Sequence, residues 1–270
     1  MSSPLLIAYP DIPFSAIQIA TAEIYSDFRP VYNLIRGARS HHAELENASN
    51  STRVIDFNLG SSGAKSASYY ILARADLLID QGVTDFTLQR SPDNSVWTTV
   101  STVALASNLL AGPRSQDYVV TFTETSAYRY WRAYVDGLTI SKLRYSKLYF
   151  GNMFDMGVAP DSFTYQIQEE SYNEFIADSG AIHPEQFREP QRSLVVTWDG
   201  VTDAKCQALM GSGIVNQSNS TGLFLYSPSQ PQILNSEGLL HVELTSILKE
   251  DQHGYPDWNT ITMTFKEMLG

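Results

Sequence analysis

Between Arg53 and Phe150 the chain reads as a succession of short strands separated by turn residues. That succession confines it to an antiparallel sandwich or barrel. The runs are Arg53–Leu59, Ser66–Ala75, Asp85–Arg90, Val96–Val103, Asp117–Phe122, Arg129–Val135 and Ile140–Phe150. Between them stand Gly60-Ser61-Ser62-Gly63, Asp80-Gln81-Gly82, Ser91-Pro92-Asp93-Asn94, Gly112-Pro113 and Asp136-Gly137. Glycine and asparagine accept positive φ, proline presets φ, and Asp or Asn side chains bond the backbone just ahead of them. Alternation in Tyr128–Val135 puts Tyr128, Tyr130, Arg132 and Tyr134 on one face and Arg129, Trp131, Ala133 and Val135 on the other. The face with Trp131 reads as core, joined there or nearby by Val54, Ile55 or Phe57, Trp97 and Leu148. Tyr130, Arg132 and Tyr134 are expected outside, open to a partner or to sugar stacking, or else covered by a second domain. An aromatic-and-arginine strand of this kind suits a surface that meets something large, and it is a weak setting for catalysis.

Residues 1–25 read as an extended N-terminal arm punctuated by Pro4, Pro10 and Pro13, with partial alternation over Ala16–Ile24. Leu5, Leu6, Ile7, Ile12 and Phe14 have no evident place in the sandwich. They are expected at an assembly interface with a neighbouring subunit, or in a strand added to the chain's own second domain. A loop-like segment, Pro30–Gly37, and a polar run, His41–Thr52, follow. Gly151, Gly157 and Pro160 mark a boundary, so the domains are expected at 26–155 and 156–270. The second should hold strands at Phe163–Gln168, Arg192–Trp198, Leu223–Tyr226, Leu239–Leu248 and Thr260–Phe265, with a polar loop over Ser179–Pro190. It also holds one short helix, Asp203–Met210, capped by Thr202 and stopped by Gly211. The fold class is all-β.

Of 270 residues, 43% are hydrophobic and 17% charged, against about 25% charged in an average soluble domain. Tyr, Phe and Trp, at 15, 12 and 4, fill part of the difference. Few charges with many aromatics fit a surface covered by neighbours, and equally an aromatic-rich core. The net charge of −11, with 18 scattered Lys and Arg, argues against nucleic acid as a partner. A single cysteine, Cys206, excludes an internal disulfide framework and is compatible with a reducing cytosol. The start, Met1–Pro10, has no basic residue and an apolar run broken by prolines, and is not expected to be a signal peptide. No window approaches the roughly 18 apolar residues that read as a membrane span.

No combination of residues points to chemistry. His41 and His42 are neighbours that point apart on an extended chain, with no third ligand at a zinc-like spacing. His183, His241 and His253 are isolated, and Cys206 reads as a small apolar filler on its helix. Glu169, Glu170 and Glu174 share one segment and would not face each other across a substrate. Gly-rich phosphate loops, nucleophile elbows and His-Glu-x-x-His are absent from the sequence. Asn33, Asp56, Asp76, Asp93 and Asn94 could supply oxygen ligands to a structural calcium, without a compact calcium-loop signature. No enzyme activity, cofactor or other metal is expected.

Residues from about 30 to 150 resemble the discoidin or coagulation-factor type C group of galactose-binding-like jelly rolls. The matching segments are Val31-Tyr32-Asn33-Leu34, Val54–Gly60, Phe86–Trp97 and Tyr128–Arg132. In that group an isoleucine-aspartate-leucine-glycine strand, a serine-aspartate-turn-tryptophan hairpin and an arginine-tyrosine-aromatic-arginine strand recur. The group's paired terminal cysteines are missing here, which fits bacterial and viral members better than secreted animal ones. The stretch Ile140–Gly151, together with Arg188–Trp198 and the helix after it, is similar to tail-tip proteins of long-tailed bacteriophages. The resemblances imply a jelly-roll sandwich followed by a β-rich tail-assembly domain. They imply a structural virion protein, a homo-oligomeric ring or adaptor at the distal tail tip, assembled in the bacterial cytoplasm and linking tube, hub and receptor-binding proteins. The alternative is a lectin-like adhesion module for host surface glycans. Neither reading involves nucleic-acid contact or membrane insertion.

Overall fold

A computed structural model describes residues 5–10, 17–19, 24–25, 43–46, 53–60, 63–73, 75–105, 118–123, 126–135, 142–145, 147–167, 172–176, 182–186, 192–216, 223–227, 239–251 and 257–267. They fall into two compact units, one built chiefly from Ile7–Phe154 and the other from Asp155–Leu225 and Leu240–Leu269 together with Leu5 and Leu6.

The first unit contains β1 (Leu6–Pro10), β2 (Ile17–Ile19), β3 (Ile24–Tyr25), β4 (Ala43–Glu46), β5 (Arg53–Asn58), β6 (Tyr69–Ala73) and a one-turn helix α1 (Asp76–Ile79). These are followed by β7 (Asp85–Ser91), β8 (Thr98–Ala104), β9 (Tyr118–Thr121), β10 (Tyr130–Val135), β11 (Lys142–Tyr145) and β12 (Lys147–Asp155). One sheet runs β2-β5-β10-β7-β8, and facing it is the sheet segment β1-β12-β6-β9. A small third sheet, β11-β4-β3, accompanies them. Strand β10 is central: Trp131 pairs with Phe57 of β5 and Arg90 of β7, and Arg132 with Asp56 and Gln89.

The core lies between the two larger sheets because each strand contributes alternate residues to it. From the β5-β10-β7 side come Ile55, Phe57, Trp131, Ala133, Val135, Phe86 and Leu88, and from the other Tyr70, Leu72, Leu148 and Phe150. Phe150 meets Phe57 edge-on at 5.1 Å and Trp131 at 5.4 Å between centroids, and Tyr70 packs on Phe86 at 5.3 Å. Trp131 is fully buried, and its indole N–H donates to the Tyr128 carbonyl at 3.2 Å. The fold is an all-β sandwich.

Four features of this unit depart from expectation. The run expected as Ile140–Phe150 is two strands, β11 and β12, belonging to different sheets. Part of the polar run is a strand: β4 buries Ala43 and Leu45 and sets Glu44 against Arg144 at 3.2 Å. Four residues of alternation without a visible partner carry too little signal to be read. Trp97 stands outside the core, against the outward guanidinium of Arg132. In the arm, Leu5, Leu6 and Ile7 lie in or beside a strand of the chain's own sheet. Strand β1 hydrogen-bonds beside β12, Leu5 and Ile7 are buried at 2% and 0% exposure, and Leu6 is half-buried. An apolar strand with free backbone groups is satisfied by pairing within its own chain. Ile12 and Phe14 lie outside the described residues.

The second unit holds β13 (Ser162–Ile167), β14 (Tyr172–Ile176), β15 (Ile182–Gln186), β16 (Arg192–Thr202), helices α2 (Asp203–Gly211) and α3 (Gly213–Asn216), then β17 (Leu223–Tyr226), β18 (Leu239–Asp251) and β19 (Trp258–Glu267). Its sheet order is β13-β16-β19-β18-β17. Leu194, Val196, Trp198, Ile261, Met263 and Phe265 form a buried face, and Cys206, Leu209 and Ile214 are buried on the helices. A bulge between Trp198 and Val201 places Gly200 at φ +76°, a backbone conformation suited to glycine. The expected helix is α2, with Thr202 Oγ1 accepting from the Lys205 N–H at 3.4 Å. It ends at Ser212, whose N–H and hydroxyl both donate to the Leu209 carbonyl. The expected loop over Ser179–Pro190 contains β15, paired with β14 in a two-stranded ribbon. Pro184 argues against a strand in the sequence, but a ribbon with two edges tolerates its missing N–H. Among the described residues, no helix is long and apolar enough to cross a membrane.

Candidate functional site

The outward side of the β5-β10-β7 sheet carries the residues singled out by alternation. Tyr130, Arg132 and Tyr134 are each half-buried, while Trp131, Ala133 and Val135 between them are buried. Register sets three rows across the sheet: Asn58-Tyr130-Ser91, Asp56-Arg132-Gln89 and Val54-Tyr134-Thr87.

The middle row is the most tightly organised. Arg132 donates Nε to Asp56 Oδ1 at 2.6 Å and Nη2 to Asp56 Oδ2 at 2.9 Å, a two-pronged match of guanidinium to carboxylate. The Trp97 ring lies on the same guanidinium, 3.7 Å from centroid to Cζ. A cation on an indole gains about 0.5–2 kcal/mol, more as water is excluded. This accounts for Trp97 leaving the core: its partner is the outward Arg132 of β10, the strand beside the β7–β8 hairpin. Gln89 extends the row, with Nε2 3.4 Å from Thr99 Oγ1, and Thr87 and Thr102 share a hydrogen bond of 3.0 Å.

The hairpin that delivers Trp97 is built by side chains. Asp93 accepts from the Ser95 and Val96 N–H groups at 2.9 and 3.1 Å and from the Ser91 hydroxyl at 3.0 Å. These donors, led by the Ser95 backbone and then its hydroxyl, hold the Asp93 carboxyl well below the usual carboxylate range. Asn94 takes φ 65°, a left-handed conformation that asparagine tolerates. At the sheet's end, Arg129 donates to Asn58 Oδ1 at 2.8 Å and stands 4.8 Å from the Tyr130 ring, and Arg90 lies 4.0 Å over Tyr128.

Tyr130, Arg132 and Tyr134 therefore share one face, and Asp56, Trp97, Gln89 and Asn58 complete it. Asp56 was legible as the outward residue of Val54-Asp56-Asn58, but as a calcium ligand it is already committed to Arg132. Asp93 is likewise committed to the hairpin turn, which Asn94 joins through its backbone N–H, and Asn33 lies outside the described residues. Among the described residues, no group of three His, Cys, Asp or Glu is placed to hold a metal. Cys206 is buried at 3% exposure, and His241 stacks on Phe224 at 4.5 Å with 10° between planes. His41, His42, Glu169 and Glu170 lie outside the described residues. The face offers flat rings, amides, hydroxyls, one internally neutralised ion pair and, at its end, the Arg129 guanidinium, a chemistry of contact and orientation.

No protein-family model matches the chain, and no curated protein matches it. Among solved structures, it is similar to a family 32 carbohydrate-binding module of Clostridium perfringens in complex with GalNAc-β-1,3-galactose, at 13% identity and TM-score 0.39, covering 53% of this chain and 99% of that one. A second is the family 32 module of Clostridium perfringens NanJ in complex with galactose, at 16% identity and TM-score 0.38, covering 54% and 98%. A third is chitosan-binding module 1 of a chitosanase/glucanase from Paenibacillus sp. IK-5, at 16% identity and TM-score 0.34, covering 49% and 95%.

Proposed function

We propose that this chain is a non-catalytic carbohydrate-binding protein that receives its ligand on the outward face of the β5-β10-β7 sheet. The observation that carries the reading is the Trp97-Arg132-Asp56 stack, flanked by Tyr130 and Tyr134. A bidentate ion pair holds the guanidinium in one orientation, so the face is ordered before a ligand arrives and binding costs less conformational entropy. Half-exposed rings offer apolar surface to the C–H faces of a sugar, and Gln89, Asn58 and the hydroxyls offer donors and acceptors to its rim. A glycan array probed with purified protein tests this. Sugar binding that falls at least tenfold in Trp97→Ala and Arg132→Ala supports it, and an array without any bound sugar overturns it.

A second reading, assembly as a ring or adaptor subunit of a bacteriophage tail tip, is favoured by the second unit. Trp258 and Leu248 are exposed at 51% and 54%, large apolar side chains that a neighbouring protein would cover. Light scattering across a concentration series tests it: a stable oligomer lost in Trp258→Ser supports assembly, and a monomer throughout removes self-assembly.

A further inference from the structure

We infer that the face is built for an uncharged glycan chain lying along β10 and contacting it through several consecutive sugars, in contrast to a single terminal sugar held in a pocket. The inference rests on the carbohydrate-binding reading and concerns which carbohydrate that face selects.

Length is the first argument. Outward residues on one strand stand about 6.6 Å apart, two steps of about 3.3 Å. Tyr130 and Tyr134 are therefore separated by about 13 Å, with the Trp97-Arg132 stack between them. That span exceeds one pyranose ring, so a single sugar cannot touch both tyrosines. A chain can, because each row sets a flat group at its centre, with Asn58 beside Tyr130 and Gln89 beside Arg132 as the partly exposed polar flanks. Ser91 and Thr87, at the far ends of the outer rows, are buried and bonded within the hairpin, to Asp93 and Thr102.

Charge is the second argument. Across the three rows the charged residues are Arg132 and Asp56, which neutralise each other at 2.6 and 2.9 Å, and the cation at the rim, Arg129, is turned onto Asn58 Oδ1 and the Tyr130 ring. A uronate or sulfate placed here would meet a guanidinium whose fork is already filled, and it would approach the Asp56 carboxylate as well. An uncharged chain meets no such penalty. A protein partner fits less well, because the centre of a protein interface is typically apolar and depleted of charge. Here an ion pair and side-chain amides occupy the centre.

The test is calorimetry of the full chain with uncharged gluco- and galacto-oligosaccharides from single sugars to hexamers, alongside uronate and sulfated chains as comparators. Affinity is expected to rise roughly two- to tenfold for each additional ring contact, to level off once the Tyr130–Tyr134 span is filled, and to change little with added salt. Tyr134→Ala should cut the affinity for long chains and leave short ones unaffected, and Tyr134→Thr, better suited to a strand, serves if the alanine variant does not fold. Equal affinity for single sugars and chains overturns the inference while leaving the carbohydrate reading intact. So does preference for a charged chain with steep salt dependence. Absence of binding to every glycan, or a dimer lost on Tyr134→Ala, overturns the carbohydrate reading itself.

Discussion

Arg132 is held from two sides, and the two contacts do different work. Asp56 fixes the plane of the guanidinium through a 2.6 Å and a 2.9 Å hydrogen bond, while Trp97 covers that plane at 3.7 Å. Removing Asp56 leaves a partly buried cation without its counter-charge. Asp56→Ala is therefore expected to destabilise by about 1–3 kcal/mol, and a double-mutant cycle with Arg132→Ala in urea should return a coupling well above that of an exposed pair. Trp131, one residue away, faces the core and touches Phe150 and Tyr128. Trp131→Ala should cost roughly 3–5 kcal/mol in the same experiment, and a near-neutral effect would mean the strand is shifted by one residue. For Asp93 the bonded, ionised form is favoured, so the folded value lies below the unfolded one. Its contribution to the hairpin is present above the unfolded value and is lost as pH falls through the lowered folded one. Carboxyl NMR should show Asp93 still ionised at pH values well below the usual carboxylate range.

Among the elements, the β7–β8 hairpin is the one on which the face depends, since it carries Trp97 over to Arg132. Its turn requires Asn94 at φ 65°. Asn94→Gly should be tolerated, whereas Asn94→Val should cost about 1–2 kcal/mol and weaken ligand binding by displacing Trp97. Helix α2 is held at its start by Thr202, so Thr202→Ala is expected to cost about 1 kcal/mol by thermal unfolding. That change should leave ligand binding at the other unit's sheet untouched, which separates stability from function.

For the whole molecule, β1 changes what truncation would mean. With Ile7 fully buried and β1 paired beside β12, Ile7→Ala should cost about 2–5 kcal/mol. Loss of residues 1–10 should lower the unfolding temperature, whatever it does to oligomer size. Replacement of Glu174, His183 or Cys206 by alanine should leave no turnover to lose on polysaccharide substrates, as a binding protein without catalysis requires. Sustained release of reducing sugar by the wild-type chain, abolished in one of these variants, would refute the non-catalytic reading.

The sequence by itself determined the all-β class, the outward placement of Tyr130, Arg132 and Tyr134, the burial of Trp131, and the Thr202-capped helix. Each of these rests on a local period or on a cap a few residues long, so the information lies within one segment. What surrounds Arg132 was decided only by the tertiary structure. Asp56 is 76 residues away in sequence and meets it because β5 pairs with β10 in one particular register. Trp97 reads as in or beside the core, and the hairpin sets it on the outer face against Arg132. Strand β4 and the burial of Leu5 and Ile7 were hidden for the same reason. A short apolar run satisfies its backbone and its side chains against whichever strand the fold brings beside it, and that neighbour is written elsewhere in the chain.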